Sequence, residues 1–290
     1  MVTVCGEALI DFLPRGDCYL PRPGGSPCNV AVGVARLGQA SAFLGGLSTD
    51  ALGQMLQAHF ADNGVDTSGV TMVDLATPLA LVEPGEESSY RFYFEQTAAF
   101  SIDLKNLPAT LPAGPLHFGS LSLVVEPAAR AWLELARREA SRVITLDPNP
   151  RAVGFSELAW RRRLEEFLEL ASVIKVSQAD LDFFYFGSDP EEMLRIWSCE
   201  KLVFLTLGGL GAKVFYQDWE FYAPAPRVQV VDTVGAGDAF MSAILAWLAE
   251  RGGLADLEAG ELEMVLARAV RAGALTCTRA GAEPPWASEL

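Results

Sequence analysis

The sequence predicts an α/β protein with a mostly parallel central sheet and helices on both faces. Three observations predict this class. Short apolar, β-branched runs alternate with helical patterns along the chain, which is the rhythm of βαβ units. Half of the 290 residues are apolar, so one sizeable core can form. No repeat, low-complexity segment or linker divides the chain, which predicts a single domain over residues 1–290.

The elements follow in order from these runs. The strand-like runs are MVTVCGEALI, SAFLGGLS, LHFGSLSLV, RVITLDPN, SVIKVS and KLVFLTLGG. The helical patterns are CNVAVGVARLG, LGQMLQAHFADNG, PAARAWLELARREAS and DAFMSAILAWLAERG. Because the carboxyl ends of parallel strands meet at one edge of a sheet, we expect the active-site loops there.

Two segments break this alternation and predict a small antiparallel sheet outside the main body. Residues 11–23 carry several turn formers, and residues 77–100 read as strand, turn and strand around Pro84 and Gly85. We expect a β lid formed by about 12–23 and 77–100, with a free face that carries Tyr90, Phe92, Tyr93 and Phe94. An extension of the edge of the main sheet is the alternative interpretation.

The composition argues against several classes of protein. The formal charge of −15 opposes binding to nucleic acid or to anionic membrane, since both need a basic surface. No apolar run reaches about 18 residues, and the N-terminal stretch lacks the pattern of a secretion signal, so we expect a cytoplasmic protein without a membrane partner. Five scattered cysteines indicate reduced thiols, because no CxxC pair or nearby histidine completes a zinc site. His59 and His117 are interpreted as surface or packed residues, which leaves serine and cysteine protease schemes without a base.

The most informative segment is VVDTVGAGDAFMSAILAWL, residues 230–248. A strand end, a glycine turn and an apolar helix place consecutive backbone N–H groups at a helix N-terminus, which predicts an anion hole at Gly235, Ala236 and Gly237. Asp238 stands in the first turn, where the helix dipole favours negative charge, and can be a carboxylate beside an incoming phosphoryl group. The alternative is an ordinary aspartate cap after a glycine turn.

A second segment, GGSPCNVAVGVARLG at residues 24–38, supports the functional interpretation. Gly24 and Gly25 let the backbone approach a ligand, and Asn29 offers both donor and acceptor groups to hydroxyls. A glycine turn followed by a cap is the alternative.

Together the two segments resemble the signatures of the ribokinase-like, or PfkB, carbohydrate kinases, which have a Gly-Gly and Asn near the N-terminus and a DTxGAGDxF run. Further runs in the usual order, EALIDF, LHFGSLSLVVEP, TLDPNPR, IKVSQADL and TLGGLGA, are similar to the fructokinase and 2-keto-3-deoxygluconate kinase branch. The resemblance spans nearly the whole chain. It implies the ribokinase-like fold, a sugar and ATP as small-molecule partners, and a lid that often serves as a dimer surface, so we expect a homodimer through the lid.

The resemblance also implies roles by position. Asp238 would be the general base, and Asp11 would hold sugar hydroxyls together with Gly24, Gly25 and Asn29. A buried carboxylate at a strand end can accept two hydroxyl donors, which supports Asp11 directly, with a turn cap as the alternative. Arg91, the cation of the second lid strand, would bind a substrate carboxylate or point outward.

For the nucleotide, the resemblance implies a turn that is not a Walker loop, because GxxxxGK[ST] is absent. The family's Asn-x-x-Glu element corresponds to Ser177 and Asp180 after Lys175, and Asp180 is expected to reach Mg²⁺ through water. Val270 stands where relatives often have an asparagine over the adenine, so the way in which adenine is held stays open. The remaining residues expected to bind ATP are Thr206, Gly208 and Gly211, together with Arg151. Arg151 is expected to reach the phosphates or the sugar, with an ordinary surface arginine as the alternative.

Relatives often bind K⁺ with backbone carbonyls, which here implies Asp232 and Val234 beside the loop 278–281; the sequence leaves its occupancy open. The leading hypothesis is a fructokinase that phosphorylates the 6-hydroxyl of D-fructose. The alternatives are a 2-keto-3-deoxygluconate kinase and a relative that binds sugar or nucleotide without turnover. A Rossmann dehydrogenase is disfavoured, since no GxGxxG follows the first strand.

Overall fold

The computed structural model describes residues 1–83, 89–151, 154–185 and 190–290. Its strands are β1 (Val2–Cys5), β2 (Leu9–Arg15), β3 (Cys18–Gly24), β4 (Ser41–Leu44), β5 (Gly46–Ser48), β6 (Thr71–Val73), β7 (Leu79–Glu83), β8 (Ser89–Tyr93), β9 (Leu116–Gly119), β10 (Ile144–Asp147), β11 (Val173–Ser177), β12 (Leu202–Thr206), β13 (Gly211–Tyr216) and β14 (Trp219–Pro224). Its α-helices are α1 (Ser26–Arg36), α2 (Ala51–Asp62), α3 (Ala128–Arg138), α4 (Glu157–Leu168), α5 (Gln178–Phe184), α6 (Pro190–Ser198), α7 (Ala236–Arg251) and α8 (Ala259–Thr276).

An eight-stranded sheet forms the centre of the protein, in the order β14-β13-β12-β11-β10-β9-β1-β4. All pairs from β12 to β4 are parallel, and β13 and β14 extend the sheet with antiparallel pairs. The parallel strands are short runs buried on both faces, which is typical of strands covered by helices on each side. The predicted mostly parallel sheet is therefore confirmed.

Helices cover both faces of this sheet. The buried residues of α1, α2, α7 and α8 share one hydrophobic cluster with one face, and those of α3, α4, α5 and α6 share another with the opposite face. Helix α7 lies between α1 and α8, and its run Asp238–Leu248 is buried on every side. A helix that is apolar all round is held in place by its packing, so the residues of its first turn have a fixed position.

The lid is a separate four-stranded sheet in the order β3-β2-β7-β8, which pairs within itself and not with the main sheet. The outer pairs β2/β3 and β7/β8 are antiparallel, whereas the central pair β2/β7 is parallel. Strands β2 and β3 lie within residues 9–24, and strands β7 and β8 lie within residues 79–93, close to the predicted segments. The turn predicted at Pro84 and Gly85 lies outside the described residues, as does the side chain of Tyr90.

A two-stranded sheet of β5 and β6 completes the fold. In the described part of the chain, no α-helix has the length and apolar character of a membrane span.

Candidate active site

Two cavities open at the carboxyl ends of the parallel strands, where the active site was expected. The first, of about 590 Å³, is lined by Asp11 and Phe92 of the lid and is called the lid cavity. The second, of about 730 Å³, is lined by Val270 and Ala274 of α8 and is called the α8 cavity. Four residues line both cavities, so the two adjoin there: Asn149, Lys175, Thr233 and Gly237.

Asp238 lies at this junction and is held from two sides. It is the third residue of α7, lines the lid cavity and is 8% exposed. Its Oδ1 accepts a hydrogen bond from Ser26 Oγ at 2.6 Å, and its Oδ2 accepts one from Asn29 Nδ2 at 2.8 Å. The alternative of an ordinary helix cap is wrong, because no side chain caps α7 and the carboxylate bonds to α1 instead. Asn29, expected to bind sugar hydroxyls, lines the lid cavity but directs its amide nitrogen to Asp238.

The predicted anion hole stands beside Asp238. Gly235 directly precedes α7 and has a φ of 77°. Ala236 and Gly237 are the first two residues of α7, so their N–H groups belong to the first turn of the helix. Lys175 Nζ approaches so closely that a Cβ on Gly237 would stand 3.0 Å from it. The junction of the two cavities therefore combines a helix N-terminus with an ammonium group.

Lys175 is a buried cation that the structure pairs with Asp147. Its Nζ lies 2.9 Å from Asp147 Oδ2 and 3.1 Å from Oδ1, and the two residues are 4% and 0% exposed. Burial alone lowers the pKa of Lys175, but the carboxylates of Asp147 and Asp180 outweigh it and raise that pKa above its ordinary value. Lys175 is therefore a positive charge at neutral pH. Sequence reasoning did not assign Asp147, although it ends β10 directly before the quoted PNPR run.

Asp11 faces the same cavity from the lid. It is packed against Gly24 so tightly that a Cβ on Gly24 would overlap its carboxylate, which explains why the first glycine of the pair is required. Burial, followed by the charge of Asp238, raises the pKa of Asp11 to about 7, while Arg151 opposes the shift. Gly25 also lines the lid cavity, so the predicted sugar-binding residues of β2 and α1 meet there.

Two predicted residues, Arg91 and Arg151, had more than one expected position. Arg91 forms an ion pair with Glu83 at 2.9 Å, its side chain is 64% exposed, and it lines neither cavity. Successive side chains of a strand point to opposite faces, and on β8 it is Phe92 that reaches the lid cavity. Arg151, expected to reach the phosphates or the sugar, lines the lid cavity and not the α8 cavity.

The α8 cavity gathers the other residues that were expected to bind the nucleotide. Its lining includes Lys175, Ser177, Asp180, Thr206, Gly208 and Gly211. Ser177 and Asp180 form a capping box at the start of α5, in which Asp180 Oδ2 accepts from Ser177 N at 2.7 Å. The wall away from the junction is apolar and includes Val228, Phe240, Val270 and Ala274. The α8 cavity thus has a polar end at the junction and an apolar end under α8.

With this geometry in place, comparison with known sequences decides the family. Residues 4–289 match the pfkB family carbohydrate kinases. The chain belongs to this family. The pfkB kinase is 36% identical to Fructokinase-1 of Oryza sativa subsp. japonica over 312 residues, which cover 100% of this chain and 95% of that relative.

Solved structures of pfkB kinases agree with the fold. The fructokinase of Xylella fastidiosa with bound ATP superposes with a TM-score of 0.90 at 29% identity, covering 99% of this chain and 96% of that one. The fructokinase of Vibrio cholerae O395 with bound fructose, ADP and calcium ion gives a TM-score of 0.84 at 30% identity, with coverage of 97% and 94%. The predicted ribokinase-like fold and the predicted sugar kinase family are both confirmed, and the protein is a phosphotransferase that acts on a sugar hydroxyl.

The residues of this pfkB kinase fit metal ions bound with water or backbone ligands, not a cage of side chains. Within the described ranges, no group of three His, Cys, Asp or Glu side chains could hold a metal ion. Asp180 lines the α8 cavity with a single carboxylate, which suits Mg²⁺ bound mainly by phosphates and water. Asp232 joins two loops, since its Oδ1 accepts from Val234 N at 3.0 Å and its Oδ2 from Gly281 N at 2.8 Å. The backbone carbonyls of these loops are the donors that a K⁺ site would need.

Proposed function

We propose that this pfkB kinase is a fructokinase, which transfers the terminal phosphoryl group of ATP to the 6-hydroxyl of D-fructose. The observation that carries the proposal is the Asp238 carboxylate, held at the junction of two adjoining cavities beside a helix N-terminus. The likeness to fructokinases over the full chain supports fructose as the acceptor.

A neutral sugar suits the lid cavity better than a sugar acid. Glu7, Asp11 and Asp238 line it, and the cations that line it within the described chain are Arg151 and Lys175. Lys175 is already paired with Asp147, and Arg91 is turned outward to Glu83. A substrate carboxylate would therefore meet the carboxyl groups of Asp11 and Asp238, which argues against 2-keto-3-deoxygluconate, whereas sugar hydroxyls can donate to these two groups.

The transfer itself needs position and charge more than a strong base. The transition state of phosphoryl transfer is loose, so the hydroxyl proton can leave late, and Asp238 needs only to be aligned to accept it. The hydrogen bonds from Ser26 and Asn29 provide that alignment. The N–H groups of the 235–237 turn and the Lys175 ammonium stabilise the charge on the moving phosphoryl group.

We extend the proposal to the ions. Mg²⁺ on the ATP phosphates would be held near Asp180 through water and would neutralise phosphate charge. K⁺ would be held by the backbone carbonyls of Asp232 and Val234, next to the loop 278–281.

We also propose a homodimer through the lid in a reducing cytoplasm. The lid exposes large aromatic side chains, with Tyr19 at 41% and Tyr93 at 52% exposure, and such a surface is stabilised by a partner. All five cysteines are free thiols, which suits a reducing compartment.

The test is a coupled assay of ADP release over fructose, 2-keto-3-deoxygluconate, ribose, glucose and nucleosides, with and without Mg²⁺ and K⁺. We expect turnover to be fastest with fructose and to require Mg²⁺. Faster turnover of another acceptor would replace fructose in the proposal, and a protein without turnover on any acceptor would contradict it.

A further inference from the structure

A buried carboxylate outside the assigned roles lies next to the lid cavity. Glu7 follows β1, is 1% exposed and is one of the residues that line this cavity. Strands β1 and β9 pair in parallel, with Cys5 opposite Phe118. Their carboxyl ends therefore adjoin, and Glu7 meets the turn of residues 120–123 that follows β9.

Glu7 is joined to that turn by several hydrogen bonds. Its Oε2 accepts from the backbone N of Ser122 at 3.1 Å and from the Ser122 hydroxyl. The Ser120 side chain is close enough to lower the pKa of the Glu7 carboxyl, as do the bonds from Ser122. No ion pair with Glu7 is found in the described part of the chain. Burial raises the pKa of Glu7, and a buried carboxyl group without a cation depends on hydrogen-bond partners, so Glu7 and Ser122 stabilise each other's positions.

The turn that Glu7 holds is part of the wall of the lid cavity. Ser120 and Leu121 line the cavity, whereas Ser122 does not. Ser120 has φ 60, a left-handed conformation that a residue with a side chain adopts only where its surroundings fix it. In this turn, the hydroxyl and the backbone N–H of Ser122 donate hydrogen bonds to the Glu7 carboxylate.

The backbone of Glu7 also contacts the residue that precedes α1, which lines the same cavity. A Cβ on Gly25 would stand 3.0 Å from the carbonyl oxygen of Glu7, so the two backbones are in close contact. Gly25 precedes Ser26, whose hydroxyl holds Asp238. Glu7 thus connects the wall at Ser120 with the start of α1, and through it with the base.

We propose that Glu7 is a positioning residue for the sugar, which sets the distance between the Ser120–Leu121 wall and Asp238. The proposal rests on the proposed function of the lid cavity. Glu7 acts through the serines and through Gly25, and its effect is on how the sugar is held and not on the nucleotide, because it does not line the α8 cavity.

The test compares Glu7→Gln and Ser122→Ala with wild-type protein in steady-state kinetics, with fructose and ATP varied separately. We expect the KM for fructose to rise roughly tenfold in Glu7→Gln, because one acceptor oxygen is replaced by an amide donor in a buried site. In Ser122→Ala it should rise about threefold, because the bond from the Ser122 hydroxyl is lost. The KM for ATP should change by less than about twofold in both. The double variant should raise the fructose KM by clearly less than the product of the single effects, since both changes remove the same contact.

The matched control is Glu126→Gln. Glu126 is near the same turn in sequence, but it lines neither cavity. It should match wild type in both KM values. If Glu7→Gln does not fold, Ser122→Ala alone decides, since it removes one hydroxyl outside the cavity lining.

An active wild type with unchanged fructose KM in Ser122→Ala and Glu7→Gln overturns the role of Glu7 alone. Equal rises in the KM for fructose and for ATP also overturn it, because they would indicate general loosening. A wild type without fructose turnover overturns the proposed function and, with it, this proposal.

Discussion

The lid cavity and the α8 cavity adjoin but are built differently. The lid cavity presents the carboxylates of Glu7, Asp11 and Asp238, each held by contacts to other parts of the chain. The α8 cavity presents glycines near the junction and an apolar wall that includes Phe240 and Val270. Side-chain hydrogen bonds are lost abruptly when one partner is removed, whereas apolar walls lose free energy in proportion to area. We therefore expect single substitutions to have larger effects in the lid cavity.

The largest effect is expected for Asp238→Asn. The amide cannot accept the hydroxyl proton as a carboxylate does, so kcat should fall by about 10³-fold. Fructose binding, measured by calorimetry, should stay within about threefold of wild type, because the amide keeps the shape of the side chain. Asp66→Asn, a change at a half-buried residue that lines neither cavity, is the control and should leave kcat unchanged. Near-normal turnover of Asp238→Asn would remove it as the base.

Lys175→Met removes the ammonium group at the junction, which lines both cavities. We expect kcat to fall by about 10²-fold, because the moving phosphoryl group loses an ammonium partner. The variant also leaves Asp147 buried without its cation, which should lower the free energy of unfolding by about 3–5 kcal/mol. The double variant Lys175→Met/Asp147→Asn should recover most of that stability in thermal melting but none of the turnover. Recovery of turnover would show that Lys175 acts on stability alone.

The pH dependence of kcat/KM for fructose tests the role of Asp11 in the lid cavity. The pKa of Asp11 is raised to about 7, so Asp11 is protonated below that pH and loses an acceptor for sugar hydroxyls. We expect kcat/KM for fructose to fall as pH decreases through 7, with a slope of one in logarithmic terms. In Asp11→Asn the fall attributed to this group should disappear, and the KM for fructose should be about tenfold above the wild-type value at pH 8. The difference between the two proteins should shrink as the pH decreases below 7, because wild-type Asp11 is then protonated. A wild-type profile that is flat from pH 8 to pH 6 would contradict this role.

The smallest effect is expected in the apolar wall of the α8 cavity. Val270 is 7% exposed, and Val270→Ala removes two methyl groups from the wall of this cavity. The KM for ATP should rise about threefold to fivefold, with the KM for fructose unchanged. A change of more than about thirtyfold would mean that this wall holds the nucleotide by more than apolar contact.

The same contrast explains what the sequence could predict. The alternation of strands and helices, the glycine turn at 235–237 and the lid segments are local patterns, and they predicted the central sheet, the start of α7 and the separate small sheet. The partners of the site residues are distant in sequence: Asp238 bonds to Ser26 and Asn29 over 212 and 209 positions, and Ser122 to Glu7 over 115. No local pattern predicts such pairs, so Asp238 was interpreted as a helix cap or a base, and Ser26, Asp147 and Glu7 were missed.

Arg91 shows a second limit. Its strand was predicted, but the face to which it points depends on the register between β7 and β8, which pairs Leu81 with Arg91. A shift of one residue would turn Arg91 inward and Phe92 outward. The sequence therefore left both orientations open, and the structure decides for the outward one.

The central claim is that Asp238 accepts a proton while the phosphoryl group passes directly from the α8 cavity to a sugar in the lid cavity. A carboxylate in this place could instead attack the phosphoryl group and carry it as an acyl phosphate, which would take two displacements. The two routes differ in stereochemistry at phosphorus, so the decisive measurement is transfer from ATP with a chiral, isotopically labelled γ-phosphorothioate to fructose. Direct in-line transfer predicts inversion of configuration in the sugar product. Retention would contradict the account and make Asp238 a nucleophile.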